Sequence, residues 1–171
     1  MDFSTAVISD IDEICALINR AYRGDSSRIG WTTEADLLGG LRIDETGIRK
    51  ILDDPDSLFF TALDDDQKPV ATLHALYEKG QTHFGLFAVD PQLQNRGIGG
   101  ELLRYSEQET LRIWGSSTCQ MEVITQRQEL IAFYERHGYS RTGESVKFPL
   151  SDLWNPKVSG LEMAVLIKRL G

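Results

Sequence analysis

A chain of 171 residues, of which 41% are hydrophobic and 26% charged, is long enough to bury one core and short for two domains. Its net charge of -8 argues against a nucleic-acid-binding module, and it has neither an apolar run of about 18 residues nor a signal-peptide pattern. We therefore expect one domain over residues 1–171. We also expect a soluble cytoplasmic protein, a monomer or homodimer, that binds neither nucleic acid nor a membrane.

The two cysteines and three histidines show no pattern that indicates a metal site. Cys15 and Cys119 are far apart and fall on apolar faces of predicted elements, which favours buried free thiols over a disulfide or a nucleophile. His74, His83 and His137 have no metal-ligand spacing with either cysteine. The sequence therefore predicts no metal.

One strand and several helices are predicted in the first third of the chain. Residues 3–8 are predicted as a strand, and Asp10 as the cap of a helix with Glu13 in the capping-box position. An apolar stripe of helical period continues to Tyr22, and the polar residues 23–30 then form a loop.

Two further helices are predicted before the strands of the middle region. Thr32 or Thr33 is predicted to cap a short helix through Leu38, and a second helix covers residues 45–52. Three strands with short connections follow and predict an antiparallel meander. Their ranges are 57–63, 69–77 and 82–89.

Helices and strands alternate in the second half of the chain. The predicted ranges are a helix at 99–114, a strand at 117–124, a helix at 129–137, a strand at 139–148, a long loop at 149–160 and a strand at 161–168. Gly115 and Gly138 are predicted to end the two helices.

A glycine-rich connection joins the third meander strand to the next helix. Residues 90–103 read Asp-Pro-Gln-Leu-Gln-Asn-Arg-Gly-Ile-Gly-Gly-Glu-Leu-Leu. The glycines let a ligand approach the backbone, and the unpaired N–H groups and dipole at a helix start attract an anion. A dinucleotide fingerprint would need a small residue at Leu102, and a P-loop would need Lys and then Ser or Thr after its second glycine. A tight connection without a ligand is the alternative interpretation.

The remaining pattern, Gln94-x-x-Gly97-x-Gly99, resembles the acetyl-CoA-binding motif of the GNAT N-acetyltransferase superfamily. Residues 130–139, Leu-Ile-Ala-Phe-Tyr-Glu-Arg-His-Gly-Tyr, are similar to the family's second recurring segment, although core packing would also explain their aromatic residues. The predicted element order is similar to that of the family over nearly the whole chain. The resemblance implies an α/β (α+β) fold with a central, mixed, mostly antiparallel sheet of about seven strands. It also implies four or so flanking helices and a splay between the fourth and fifth strands.

The resemblance further implies acetyl-CoA as cosubstrate. The open edge of the strand before the turn would pair with the pantetheine arm, and the N–H groups of the turn would bind the pyrophosphate. The residues implied in cofactor binding are Phe87, Ala88, Val89, Gln94, Asn95, Arg96, Gly97, Ile98, Gly99, Gly100 and Tyr134.

By the same resemblance, Tyr134 is the acid that protonates the departing thiolate, and the N–H of Phe87 or a neighbour stabilises the oxyanion. The base is left open between His83 and Glu122, on the two strands beside the cleft, and Glu78. A water relay without a dedicated base is a further alternative.

The loops expected to bind the acceptor carry aromatic and charged side chains. The family often has asparagine where this chain has Arg127, which is therefore free to meet a phosphate or a substrate acid. Such loops favour a small polar or amino-acid-like amine, although Trp31 and Trp154 equally fit a role in closing the core. The candidate acceptor residues are Arg28, Trp31, Glu34 and Trp154, with Lys147 and Asn155 nearby.

The sequence therefore predicts an acetyl-CoA-dependent N-acetyltransferase that transfers the acetyl group directly to the primary amine of a small molecule. Acetylation of a protein N-terminus or lysine is one alternative. An acyl-CoA-binding sensor without turnover is another.

Overall fold

The computed structural model describes all 171 residues and contains four α-helices and nine strands. The helices are α1 (Ile11–Tyr22), α2 (Glu45–Asp53), α3 (Ile98–Trp114) and α4 (Gln128–Arg136). The strands are β1 (Asp2–Thr5), β2 (Leu38–Gly40), β3 (Ser57–Leu63), β4 (Pro69–Glu78), β5 (Gln81–Val89), β6 (Thr118–Ile124), β7 (Ser140–Lys147), β8 (Trp154–Pro156) and β9 (Glu162–Arg169). None of the helices has the length and apolar character that a membrane span requires.

Seven strands form one sheet in the order β1-β3-β4-β5-β6-β9-β7. All neighbours are antiparallel except β5 and β6, so the predicted mixed, mostly antiparallel sheet is confirmed. β5 pairs with β6 only from Thr82 to Phe84, opposite Cys119 to Met121. Beyond Phe84 the two strands separate, and the predicted splay between the fourth and fifth strands of the sheet is confirmed.

An irregularity in β5 coincides with this separation. The β4–β5 register shifts between Thr72 and His74, and Leu86 adopts a positive φ of 47°. A bulge of this kind exchanges the two faces of a strand. Phe84 accordingly packs in the core beneath α3 and α4, whereas Leu86 and Ala88 pack in the core beneath α1 and α2.

The predicted short helix at 32–38 is wrong. Residues 35–37 form a turn, and β2 pairs with β8 in a two-stranded ribbon, with Gly40 opposite Trp154. Gly40 has a φ of 76°, and a Cβ atom there would lie 2.1 Å from the carbonyl oxygen of Leu153. This close approach requires glycine at the end of β2. Part of the predicted loop at 149–160 is therefore strand β8.

The capping box predicted for α1 is also wrong, although Asp10 does occupy the position before the helix. A short 3-10 turn, Ile8–Asp10, precedes α1, and the Asp10 carboxylate accepts the N–H of Val7 at 2.9 Å instead of an N–H within α1. The chain enters α1 already in a helical conformation, so the Asp10 carboxylate caps the preceding turn.

Candidate active site

A cavity of about 540 Å³ lies at the splay, between the end of β5, the glycine turn and α4. Most of the residues implied in cofactor binding line it, namely Phe87, Val89, Gln94, Asn95, Gly97, Ile98, Gly99, Gly100 and Tyr134. We call it the donor-side cavity. Ala88 and Arg96 do not line it. Ala88 pairs with Thr72 of β4 and its side chain is buried beneath α1 and α2, while Arg96 is exposed.

The glycine turn suits an anion. Gly97 precedes α3 with a φ of 84°, and Asn95 also has a positive φ, of 65°. Because α3 begins at Ile98, the N–H groups of Ile98, Gly99 and Gly100 have no carbonyl partner within the helix. A Cβ atom on Gly99 would lie 3.4 Å from Val89 and 3.5 Å from Phe87, so a larger side chain would fill the gap beside β5.

Gln94 holds a neighbouring loop instead of pointing freely into the cavity. Its side-chain oxygen accepts the N–H of Trp31 at 2.8 Å, and its amide donates to the Thr32 hydroxyl and the Val89 carbonyl at 2.8 and 3.1 Å. A Cβ atom on Gly30 would lie within 2.8 Å of the same amide. Gln94 therefore joins residues 30–32 to the end of β5.

The open edge of β5 offers donors more than acceptors. The carbonyl of Phe87 accepts the hydroxyl of Tyr22 at 2.5 Å, and that of Val89 accepts from Gln94. Because the N–H of Asp90 donates to the carbonyl of Val70 on β4 at 2.9 Å, the alternation of the strand directs the backbone of Phe87 and Val89 towards β6. Their N–H groups remain available to an extended ligand.

Tyr134 lies where the donor-side cavity meets a second one. It is 5% exposed, and its ring packs between Phe87, Phe133 and Tyr139 at centroid distances of 6.2, 5.2 and 5.9 Å. Burial raises the pKa of the Tyr134 hydroxyl, and the neighbouring Tyr22 adds to the shift. The group therefore holds its proton at neutral pH, as a general acid must.

The second cavity, of about 80 Å³, is lined by charged residues as well as apolar ones, and we call it the acceptor-side cavity. It shares Phe87, Leu130 and Tyr134 with the first. The charged residues in its wall are Glu34, Arg42, Glu122 and Arg127.

A buried cluster of three charges supports this wall. Arg23 and Arg127 each contact a different oxygen of Glu34 at 3.3 Å, and all three side chains are at most 8% exposed. Burial lowers the pKa of Arg23, while the Glu34 carboxylate opposes that shift. The side-chain nitrogens of Arg23 make no hydrogen bond. One carboxylate therefore serves two guanidinium groups, which leaves a surplus positive charge.

Arg42 adds a second positive charge and is held by aromatic rings. Its guanidinium lies 5.2 Å from the ring centroid of Trp154 and 5.7 Å from that of Tyr22. The backbone N–H of Arg42 donates to the side-chain oxygen of Asn19 at 2.6 Å, and its backbone carbonyl accepts the indole N–H of Trp154 at 3.0 Å. Both contacts fix the Arg42 backbone beside the cavity.

The three base candidates differ in position. Glu122 is exposed and lines the acceptor-side cavity. His83 lies in the paired part of β5 and β6, outside both cavities, where it contacts Gln81. Glu78 lies at the end of β4, beside Lys79. Of the three, only Glu122 lines a cavity, and Tyr134 lines the same one.

The residues predicted to bind the acceptor are divided among several places. Glu34 lines the acceptor-side cavity, whereas Trp31 lines the donor-side one and packs on Phe133. Trp154 lines neither cavity and instead contacts Arg42. Arg28 is exposed and pairs with Asp25 and Asp36. Lys147 and Asn155 pair within strands, opposite Glu162 and Gly39.

Sequence reasoning missed Tyr22 and Arg42. Tyr22 is the last residue of the apolar stripe of α1, and Arg42 lies between the predicted helices at 32–38 and 45–52. No local pattern distinguishes either residue. The charged loop residues and the replacement of asparagine by Arg127 are the signals of a charged acceptor side.

Neither cysteine has the character of a nucleophile. Burial raises the pKa of Cys119 to about 12 and also raises the pKa of Cys15. A thiol with a raised pKa carries little thiolate at neutral pH.

Residues 55–141 match a family model described as an acetyltransferase (GNAT) domain. A relative by sequence is S-(2-succino)cysteine N-acetyltransferase from Bacillus subtilis (strain 168), 37% identical over 70 residues. That match covers 38% of this chain and 40% of the relative, so it spans well under two thirds of the relative's length.

Solved structures match over almost the whole chain. The ribosomal-protein-S18-alanine N-acetyltransferase from Escherichia coli has a TM-score of 0.72 at 16% identity, over 99% of this chain and 94% of that one. An N-acetyltransferase from Staphylococcus aureus Mu50 has a TM-score of 0.74 at 13% identity, over 98% and 96%. A variant of the spermidine N-acetyltransferase from Vibrio cholerae has a TM-score of 0.71 at 12% identity, over 99% and 95%. At these identities the likeness shows a shared fold, and with the match of the family model it establishes that the chain belongs to the GNAT acetyltransferase family.

Proposed function

We propose that this acetyltransferase uses acetyl-CoA to acetylate the primary amine of a small molecule by direct transfer. The observation that carries the proposal is the meeting of two unlike cavities at Tyr134. One ends in a helix start and an open strand edge, and the other is walled by charged side chains. We further propose a cytoplasmic location, in keeping with two free cysteines.

The donor-side cavity has the features that acetyl-CoA requires. The N–H groups of Ile98, Gly99 and Gly100 would hold the pyrophosphate, and those of Phe87 and Val89 would pair with the amides of the pantetheine arm. The bound cosubstrate supplies an acetyl group activated as a thioester. The absence of a Cβ atom on Gly99 keeps the space between the turn and β5 open.

The residues at the junction provide three functions. Glu122 receives the proton that the amine loses as the new C–N bond forms, and the N–H of Phe87 stabilises charge on the carbonyl oxygen. Tyr134 donates a proton to the sulfur as the C–S bond breaks. Exchange with solvent returns Glu122 and Tyr134 to their starting states, so the protons balance.

A small acceptor is favoured over a protein. The β2–β8 ribbon positions Trp154 against Arg42 beside a cavity of about 80 Å³, whereas a peptide needs an open groove. The Bacillus subtilis relative is named for a small amine acceptor, as is the Vibrio cholerae protein of the same fold. These names support the class of acceptor only.

Release of thiol from acetyl-CoA tests the proposal. The purified protein is given acetyl-CoA and a panel of amino acids, polyamines, aminosugars and peptides, and the free thiol is measured against a sample without acceptor. We expect release with at least one small amine and formation of its N-acetyl product by mass spectrometry. Tight CoA binding without release for any acceptor would favour a sensor, and release with peptides alone would favour protein acetylation.

A further inference from the structure

The acceptor-side cavity contains an arginine whose charge nothing else in the protein neutralises. The Arg42 guanidinium forms no ion pair and lies between the rings of Tyr22 and Trp154. Stacking on aromatic faces leaves the N–H groups at the edge of the guanidinium free for a planar, two-pronged acceptor. A carboxylate has that geometry.

The backbone that carries Arg42 is fixed to an unusual degree. The Asn19 side chain accepts the N–H of Arg42 at 2.6 Å and donates to the carbonyl of Ile43 at 2.8 Å. The Trp154 indole donates to the Arg42 carbonyl at 3.0 Å. These hydrogen bonds hold the backbone at Arg42 in place, so the guanidinium projects from a fixed point beside the cavity, as recognition of an oriented ligand requires.

The charge around the cavity favours an anion. Arg23, Arg42 and Arg127 supply three positive charges, and Glu34 and Glu122 two negative ones. Glu34 is already shared by Arg23 and Arg127, and Glu122 is exposed on β6. The three arginines around the cavity therefore outnumber its two carboxylates and leave a surplus of positive charge, while Glu122, which pairs with no arginine, suits an amine.

We propose that the acceptor amine carries a carboxylate, bound by Arg42 with Arg127 beside it. The proposal rests on the proposed function and specifies its acceptor class as amino-acid-like. Arg42 then acts in specificity, because it contacts the part of the acceptor that does not react. A polyamine, which has only cationic groups, is disfavoured by the same two arginines.

Matched acceptors measure the effect of the carboxylate. Each accepted amino acid is compared with its carboxamide, which keeps the amine and side chain and lacks the negative charge. Both are tested with the wild type, with Arg42→Gln, and with Arg49→Gln, which removes an exposed arginine on α2 as a control. Replacing the carboxylate by a carboxamide also changes the pKa of the amine. Each variant is therefore compared with the wild type on the same acceptor, so that this change cancels in the ratio of their kcat/KM values.

We expect Arg42→Gln to lower kcat/KM for the carboxylate acceptor by about 10- to 100-fold, mainly through KM, because a hydrogen-bonded charge pair is lost. The carboxamide should lose less than about threefold, and Arg49→Gln should leave both unchanged. Calorimetric titration of the amino acid into the protein without acetyl-CoA should show the same loss of affinity in Arg42→Gln. An unchanged CoA affinity verifies that the variant is folded.

Several outcomes would overturn the proposal. Preferred transfer to spermidine, to neutral amines or to O-phosphoethanolamine would remove the carboxylate requirement while leaving the proposed function intact. Equal losses for acid and carboxamide would make Arg42 a structural residue. Transfer to no amine would overturn the proposed function itself. In that case, binding of amino acids that is measured by calorimetry and is abolished by Arg42→Gln would still support the carboxylate site.

Discussion

The donor and acceptor sides of this protein are built by different means. The donor-side cavity is formed largely by one continuous stretch, the end of β5 and the glycine turn, and would bind its ligand mainly through backbone N–H groups. The acceptor-side cavity shares β5 with it, but its charged wall is assembled from separate parts of the chain, namely the loops on either side of β2, β6 and the residue before α4. Backbone N–H groups persist when side chains are substituted, whereas a site built from side chains changes with each substitution.

The largest effect is expected from breaking the charge cluster on the acceptor side. Glu34→Gln leaves Arg23 and Arg127 buried with no counter-charge, so the free energy of unfolding should fall by about 3 to 5 kcal/mol. Urea denaturation measures it, with the exposed Glu13→Gln as control. A loss below about 1 kcal/mol would show that water reaches the two guanidinium groups and replaces the missing charge.

Tyr134→Phe tests the group shared by both sides. Removing the proton donor should lower kcat by about 100-fold, while the affinities for CoA and for the acceptor stay within about twofold. Tyr77→Phe is the control, because it removes a hydroxyl from a tyrosine that lies outside both cavities and whose ring stacks on Trp114. An unchanged kcat would make Tyr134 a packing residue.

A third test measures how the free energy of unfolding depends on pH through His74, which lies outside both cavities. Burial lowers the pKa of His74 from 6.5 to about 4, so the unfolded chain takes up a proton at a higher pH than the folded protein does. Stability is therefore full above pH 6.5 and is lost as the pH falls towards 4. With partial exposure allowed for, the loss is about 2 kcal/mol between pH 7 and pH 4.5.

The His74→Asn variant should lose correspondingly less stability over the same pH range in urea titrations. Identical pH dependence in the variant and the wild type would show that His74 is not the titrating group. Activity profiles measured below pH 6 must be corrected for this loss before they are used to identify the base.

The smallest effect is expected at Gln94, which joins residues 30–32 to the end of β5 on the donor side. Gln94→Ala removes three hydrogen bonds that join residues 30–32 to β5, and should lower the free energy of unfolding by about 1 to 2 kcal/mol. CoA affinity should fall only modestly, and the exposed Gln92→Ala is the control. A large loss of CoA affinity at unchanged stability would instead make Gln94 a direct ligand.

The strands of the large sheet and the four α-helices could be predicted because their signals are local, whereas the mixed order of the sheet was implied only by the resemblance to the family. Alternation and helical period gave every strand of the large sheet and all four α-helices to within a few residues. The failure at 32–38 has a clear cause. Ribbon β2–β8 joins segments more than 100 residues apart, and its short strands have no apolar alternation of their own.

The role of Gln94 shows the same limit within a recognised motif. Its spacing from Gly97 indicated a cofactor contact, but its hydrogen bonds are made to Trp31, Thr32 and Val89, and two of these partners are distant in the sequence. A motif fixes which residue stands at a position. The partners that its side chain meets depend on how distant loops pack.

The sequence by itself determined the strands of the large sheet, the four α-helices and the glycine turn that suits a phosphate, while Tyr134 as the candidate acid was implied by the resemblance to the family. Only the tertiary structure decided that Arg42 lies between Tyr22 and Trp154 and that Glu34 is shared by Arg23 and Arg127. The physical reason is that backbone conformation follows from neighbouring residues, whereas the pairing of buried charges depends on contacts between segments that only folding brings together.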